Sequence, residues 1–198
     1  LLSFHHQSFK FHVDFTKAPY RMPSYSPKEH ALLRAMSSLK NPVVIDATAG
    51  FLKDTMLCTM VSDHVIAIEA NPIIAALTEN ALIRLPSNAI EFIYGRSEEI
   101  ILNQPCDVIL IDPMFEDKKI SNASKKPLQV IQSIVDEEDY LSILENAYQN
   151  PCKRILVKRH SRAKALSTFP PITHSITESF PSRRSSFRID TITRIRSK

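Results

Sequence analysis

Glycine is almost missing from this chain: Gly50 and Gly95 are the only two among 198 residues. That scarcity rules out the glycine-rich loops that cradle phosphates. There is no Gly-x-x-x-x-Gly-Lys-[Ser/Thr] loop, and Gly50 does not open the glycine pattern that dinucleotides require. Each glycine is instead expected to mark a tight spot in the backbone. Cysteine is also scarce. Cys58, Cys106 and Cys152 are odd in number and have neither metal-ligand nor redox spacing, which suits buried thiols in a reducing cytoplasm. No apolar run approaches the roughly 18 residues of a membrane helix, so no membrane contact is expected. The start, Leu1-Leu2-Ser3-Phe4-His5-His6, has no basic segment leading into a sustained apolar stretch and is not read as a signal peptide. It also lacks an initiator Met and is read as the N-terminal edge of a fragment. No Gly-x-Ser-x-Gly elbow and no His/Cys/Asp cluster with zinc spacing occurs, so no metal is expected.

What is present is ordinary in amount and uneven in placement. Hydrophobic residues make up 43% and charged residues 23% of the chain, the balance of a globular domain. Residues 1–152 carry 13 Lys/Arg against 19 Asp/Glu, whereas residues 153–198 carry 12 against 2. A basic last quarter beside an acidic body is the footprint of a protein with a polyanionic partner. Arg183, Arg184 and Arg188 lie in its Ser-rich stretch, where phosphate contacts are expected.

The hydrophobic pattern alternates short apolar runs with helical stretches. Ser26-Pro27-Lys28-Glu29 reads as a helix start, with Ser26 as N-cap and the helix running to about Ser38. Strands are expected at Val43–Ile45, His64–Ile68, Ile90–Ile93, Val108–Ile111 and Arg154–Val157. Helices are expected at Lys53–Met60, after Asn71-Pro72, and at Tyr140–Tyr148. This order implies a mostly parallel sheet with helices on both faces, an α/β fold. Ile172–Thr177 and Phe187–Ile192, separated by a Pro/Ser/Arg turn, read as a C-terminal antiparallel hairpin. Residues 1–25 read as a small N-terminal extension, irregular or β-rich, ahead of a main domain spanning 26–198. The acidic run Asp136-Glu137-Glu138-Asp139 reads as a helix N-terminal cluster.

The chemistry is expected where parallel strands end, since open α/β sheets bind ligands there. Asp46-Ala47-Thr48-Ala49-Gly50 is an acid, small residues and a glycine between strand and helix, a turn that lets backbone approach a ligand. Glu69 ends the next strand 23 residues later and is placed to accept both ribose hydroxyls of an adenosine cofactor. Tyr94-Gly95-Arg96-Ser97 is placed to contact the adenine. Acids such as Asp46 and Asp54 suit a sulfonium cofactor without phosphates, whose positive charge a lysine cradle would repel. Asp112-Pro113-Met114-Phe115 follows the most apolar strand. There the Asp112 carboxylate and the Pro113 carbonyl can accept hydrogen bonds from an exocyclic amino group while Phe115 stacks on its ring, which points to methylation of a base. Lys118, Lys119, Lys125, Lys126, Lys158 and Arg159 are expected to hold phosphates of a nucleic-acid substrate.

These residues carry a family resemblance. Asp46-Ala47-Thr48-Ala49-Gly50, Glu69-Ala70-Asn71-Pro72, Asp112-Pro113-Met114-Phe115, Lys125-Lys126, Gln129-Val130-Ile131-Gln132-Ser133, Val157-Lys158-Arg159 and Phe187-Arg188-Ile189-Asp190 occur in this order. Together they resemble the bacterial RsmJ family, with this chain as a divergent member, from about Val13 to about Asp190. The resemblance implies a Rossmann-like class I methyltransferase fold with a mostly parallel seven-stranded sheet. It further implies S-adenosylmethionine-dependent methylation of N2 of a guanine in small-subunit (16S) ribosomal RNA. Lys53-Asp54, Glu69-Ala70, Arg96-Ser97 and Asp112 stand at the family's cofactor positions. Three departures are clear: Leu52 replaces the second glycine of the family turn, Pro23–Lys28 replaces a glycine-rich loop, and His160 replaces a proline. The alternatives are a methyltransferase for another nucleic-acid amino group, or a non-catalytic RNA-binding protein on a degenerate methyltransferase fold.

Overall fold

The computed structural model describes residues 1–6, 9–17, 29–85, 88–112, 140–163, 175–182 and 187–194. Nine strands and five α-helices are described. A hairpin of β1 (Phe4–His6) and β2 (Phe9–Phe11) opens the chain. Then follow α1 (Ala31–Met36), β3 (Val44–Asp46), α2 (Lys53–Cys58), β4 (Val65–Glu69), α3 (Pro72–Leu82), β5 (Ile90–Tyr94) and α4 (Ser97–Ile100). A 3-10 turn, Ile101–Asn103, leads to β6 (Val108–Ile111); α5 (Tyr140–Gln149), β7 (Arg154–His160), β8 (Ser175–Pro181) and β9 (Phe187–Arg194) complete the order.

Seven strands form one sheet in the order β5-β4-β3-β6-β7-β9-β8. The first five run parallel, and β9 lies antiparallel to both β7 and β8. β8 therefore points with the parallel strands, and β9 alone is reversed. Strands buried on both faces need unbroken apolar runs. Val65-Ile66-Ala67-Ile68 and Val108-Ile109-Leu110-Ile111 supply them, every residue fully buried.

Side chains alternate between the two faces. Ile45, Ile66, Ile68, Ile109, Ile111, Ile155 and Val157 pack with Ile143, Leu144 and Ala147 of α5. Val44, Val65, Val108, Leu110 and Leu156 pack with Leu32, Leu33 and Met36 of α1 and Leu57 of α2. Ala67 joins that second face through a cluster with Leu52, Met56, Leu77 and Ala81. Val13 and Phe15 are buried in the same cluster, so the N-terminal segment rests on α2 and α3. The Arg84 guanidinium donates to the Val13 carbonyl at 2.9 Å and fixes it there.

Several boundaries differ from the sequence reading. Ser26, Pro27 and Lys28 lie outside the described residues. α1 begins at Ala31, with His30 at the N-cap, and ends at Met36 because the Ser37 amide and hydroxyl both turn back onto the Arg34 carbonyl. β7 runs three residues past Val157, and the reason is electrostatic: Lys158 and Arg159 meet carboxylates inside the fold and need not reach water. Helix α4 was not anticipated. The residues 136–139 lie outside the described set, as do Ile172 to His174 of the first hairpin run, whose remainder is β8.

Candidate active site

Alternation decides which charged residues meet. Asp46, Glu69 and Tyr94 end β3, β4 and β5, and Asp112 follows β6. Each shares the parity of the residues on the α1–α2–α3 face. On β7 the same parity falls on Leu156, Lys158 and His160. Four charged groups on four neighbouring strands thus point to one side of one sheet edge.

The first turn is held by its own hydrogen bonds. The Ala47 amide donates to the Leu110 carbonyl at 2.8 Å and the Ala49 amide to the Ile68 carbonyl at 3.0 Å. The Gly50 amide donates to Glu69 Oε2 at 2.8 Å, and Thr78 Oγ1 donates to the Gly50 carbonyl at 3.1 Å. Gly50 has φ +53°, a left-handed conformation that favours glycine, and nothing lies within 4 Å of where a Cβ would stand. Leu52 has φ +58° as well. Its side chain is fully buried among Met56, Leu77 and Ala81. The turn takes this left-handed conformation with a leucine, whose side chain fills the core.

Glu69 is nearly buried, and its other carboxylate oxygen accepts the Asn71 amide at 2.7 Å. Burial pushes its pKa up, against the pull of the Asn71, Gly50 and Ala70 amides. The capping of α3 belongs to Asn71, whose Oδ1 accepts from Ile73 and Ile74 at 2.9 and 3.0 Å, with Pro72 in the first helical turn. Arg96 is exposed and pairs with Glu98 and with Glu99. Ser97 is buried, and its hydroxyl donates to the Ala47 carbonyl, tying the β5 loop to the first turn.

The centre is a cation between two acids. Lys158 Nζ lies 2.5 Å from Asp54 Oδ2 and 2.6 Å from Asp112 Oδ2, with the Phe187 ring centroid at 5.2 Å. The Asp112 amide donates to Thr48 Oγ1 at 2.7 Å, which joins the β6 end to the first turn. Burial raises Asp112, and Lys158 opposes that rise. Burial also acts upward on Asp54, but there Lys158, helped by Lys53, pulls harder, and Asp54 stays below the usual carboxylate range. Behind them Asp46 is fully buried and accepts from Thr55 Oγ1 at 2.5 Å; burial, then the charges of Asp54 and Asp112, raise it to about 7. His30 completes the surround. Burial lowers its pKa, Asp54 opposes, and its ring stands 6.1 Å from Phe187.

Lys158, Arg159 and Arg188, expected among the phosphate contacts, have inward partners. Arg159 is buried and 3.7 Å from Asp190 Oδ2, while Arg188 Nε donates to Asp190 Oδ1 at 2.7 Å. The Arg188 guanidinium also donates to the Ser161 and Ala163 carbonyls at 2.7 and 2.8 Å. Pro113, Phe115, Lys118, Lys119, Lys125, Lys126, Arg183 and Arg184 lie outside the described residues. The sequence reading missed Thr48, Thr55, His30 and Phe187. Thr48 had a local signal, since it lies between Asp46 and Gly50 in the first turn, and Phe187 stands in one of the blocks that carry the family resemblance.

A mostly parallel sheet with one reversed strand near its end, and acids along its C-terminal edge, defines a Rossmann-like fold of the methyltransferase type. The family model described as "Putative SAM-dependent methyltransferase" matches residues 2–180. A protein of Hydrogenovibrio crunogenus named ribosomal RNA small subunit methyltransferase J is 33% identical over 175 residues, 80% of this chain and 63% of that protein. A Buchnera aphidicola protein of the same name is 32% identical over 176 residues, 81% of this chain and 70% of its own length. Among solved structures, a SAM-dependent methyltransferase of Neisseria gonorrhoeae shares the fold with a TM-score of 0.68 at 22% identity, covering 97% of this chain and 78% of that one. The chain belongs to the SAM-dependent methyltransferase family that includes these small-subunit rRNA methyltransferase J proteins.

The residues present fit S-adenosylmethionine (SAM). The space beside Gly50 is open where a Cβ would stand, the edge presents Glu69, Asp54 and Asp112, and the turn carries no phosphate-binding glycine loop. Among the described residues no group of three or more His, Cys, Asp or Glu side chains is arranged to hold a metal ion. No helix among them is long and apolar enough to cross a membrane.

Proposed function

We propose that this protein transfers a methyl group from SAM to the exocyclic N2 amino group of a guanine in small-subunit (16S) ribosomal RNA, in the cytoplasm. One observation carries the reading: Asp112, at the end of a buried strand, has its amide fixed by Thr48 and its carboxylate held by Lys158, one strand from the Gly50 turn. The relatives that match this chain are named as small-subunit rRNA methyltransferases, which supplies the substrate class.

When bound, SAM supplies an electrophilic methyl group on a sulfonium centre. The chain's own residues supply position and field. A guanine amino nitrogen is a weak nucleophile because its lone pair is delocalised into the ring. Asp112 accepts one N–H of that group and the Pro113 carbonyl accepts the other, which turns the nitrogen toward the reacting carbon. Most of the rate enhancement is then orientation and electrostatics. Phe115 stacks on the base and contributes about 1–3 kcal/mol toward holding it out of its stack. Asp46, Gly50, Lys53, Asp54, Glu69, Ala70, Arg96 and Ser97 form the cofactor side. Lys118, Lys119, Lys125, Lys126, Arg183 and Arg184 contact RNA phosphates, while Lys158, Arg159 and Arg188 shape the site from within.

The test is mass mapping of small-subunit rRNA from a strain lacking the gene. One guanine is expected to lose a methyl group and regain it when this chain is restored. A methylation pattern identical with and without the gene sinks the reading. Asp112→Ala is expected to abolish restoration while S-adenosylhomocysteine still binds in a calorimetric titration; full restoration would refute the role of Asp112.

A further inference from the structure

We propose that Lys158 is a positioning residue for methyl transfer, a buried cation whose direct ion pair fixes the Asp112 carboxylate in place; this rests on the function proposed above. Three observations meet here. First, Lys158 touches both Asp54 and Asp112 within 2.6 Å, so one ammonium serves two acids. Second, Lys158 is mostly buried, on the interior of β7, with the face of Phe187 beside it, and is poorly placed to reach an RNA phosphate. Third, the bond is to Asp112 Oδ2, so the lysine fixes the plane of the carboxylate that is to receive the amino group.

The charge arithmetic explains why a lysine belongs here. Two carboxylates on one buried cation leave the cluster net negative, which suits an incoming sulfonium. Without the cation, two adjacent buried acids cannot both stay ionised, and one takes a proton. A protonated Asp112 would offer its own O–H where an acceptor is needed. The charged groups that act on Asp112 among the described residues are Lys158 from β7, Asp54 from α2 and Asp46 from β3, while Lys53 of α2 and His30 ahead of α1 act on Asp54. Burial raises Asp112 and Asp54 raises it further; Lys158 is the group that opposes that rise, without cancelling it.

The experiment follows Asp112 directly, by carbon-13 NMR titration of labelled aspartate carboxyls, with Asp112→Asn identifying the signal. In Lys158→Met the Asp112 midpoint should rise by about 1–3 pH units, the range expected for losing an adjacent opposite charge. Lys158→Arg should bring it back. Should Lys158→Met fail to fold, Asp54→Asn gives the opposite displacement, a fall in the Asp112 midpoint, because it removes a like charge and leaves the lysine to Asp112 alone. An unmoved midpoint in a folded variant of either kind overturns the proposal. Transfer to RNA is measured in parallel. The acid limb of kcat should move up in Lys158→Met in step with the midpoint while KM for RNA changes little, and KM moving instead of kcat would return Lys158 to phosphate binding. A midpoint that moves in protein lacking all transfer activity would support the electrostatic role while overturning the reading of function.

Discussion

At the scale of single residues, Leu52 joins a left-handed backbone to a fully buried side chain. A non-glycine residue at φ +58° carries a strain of about 1–2 kcal/mol, because Cβ crowds the backbone carbonyl. The same residue is fully buried against Val13, Met56 and Leu77. Truncating a buried leucine costs about 2–5 kcal/mol, more than relief of the strain returns. Leu52→Gly is therefore expected to destabilise the fold by about 1–3 kcal/mol in urea denaturation; a variant more stable than the parent would show that strain outweighs packing. The family resemblance implies a second glycine at this turn, and a buried leucine in the left-handed region stands in its place here. The sequence alone exposed the substitution but not its resolution, because the direction of a side chain at positive φ depends on what lies beneath it.

At the scale of elements, β7 is where polar sequence and buried structure part company. Lys158-Arg159-His160 reads as the end of a strand, yet the strand continues through all three. It does so because neighbouring elements supply carboxylates on both sides: Asp54 and Asp112 on the face of Lys158, Asp190 for Arg159. Asp190 sits on β9, opposite Val157 in the register, and also accepts from Arg188 and from Ser179 Oγ at 2.5 Å. Removing one member of a buried ion pair leaves the other charge without its partner, at a cost of about 3–5 kcal/mol. Asp190→Ala should lower stability by about that amount in urea denaturation. A loss under about 1 kcal/mol would mean that Arg159 and Arg188 are satisfied by their other contacts.

At the scale of the whole molecule, what the sequence made legible was what strand periodicity and strand ends govern. The parallel core, the terminal hairpin and the positions of Asp46, Glu69 and Asp112 all follow from apolar runs ending in acids. What stayed hidden depends on pairing between distant segments. Asp54 and Lys158 are 104 residues apart, and only the sheet order β3-β6-β7 with α2 laid across it brings them together. The place of β9 is hidden for the same reason. It is the last described strand and lies beyond the 2–180 stretch matched by the family model, yet it is inserted between β7 and β8. Ile189, Asp190, Thr191 and Ile192 are all buried there, and among the described residues β8 has no strand neighbour other than β9. Ending the chain after Pro181 would strip β8 of its only strand neighbour among the described residues. It would also open the β7 edge beside Lys158 and remove Phe187 from its ammonium. An exposed edge of this kind invites association with other chains. The truncated protein is expected to lose its cooperative thermal transition and to elute as aggregate in size exclusion. A soluble monomer with a sharp transition would mean that the five parallel strands hold the fold without β9, and that the Lys158 site needs no wall on that side.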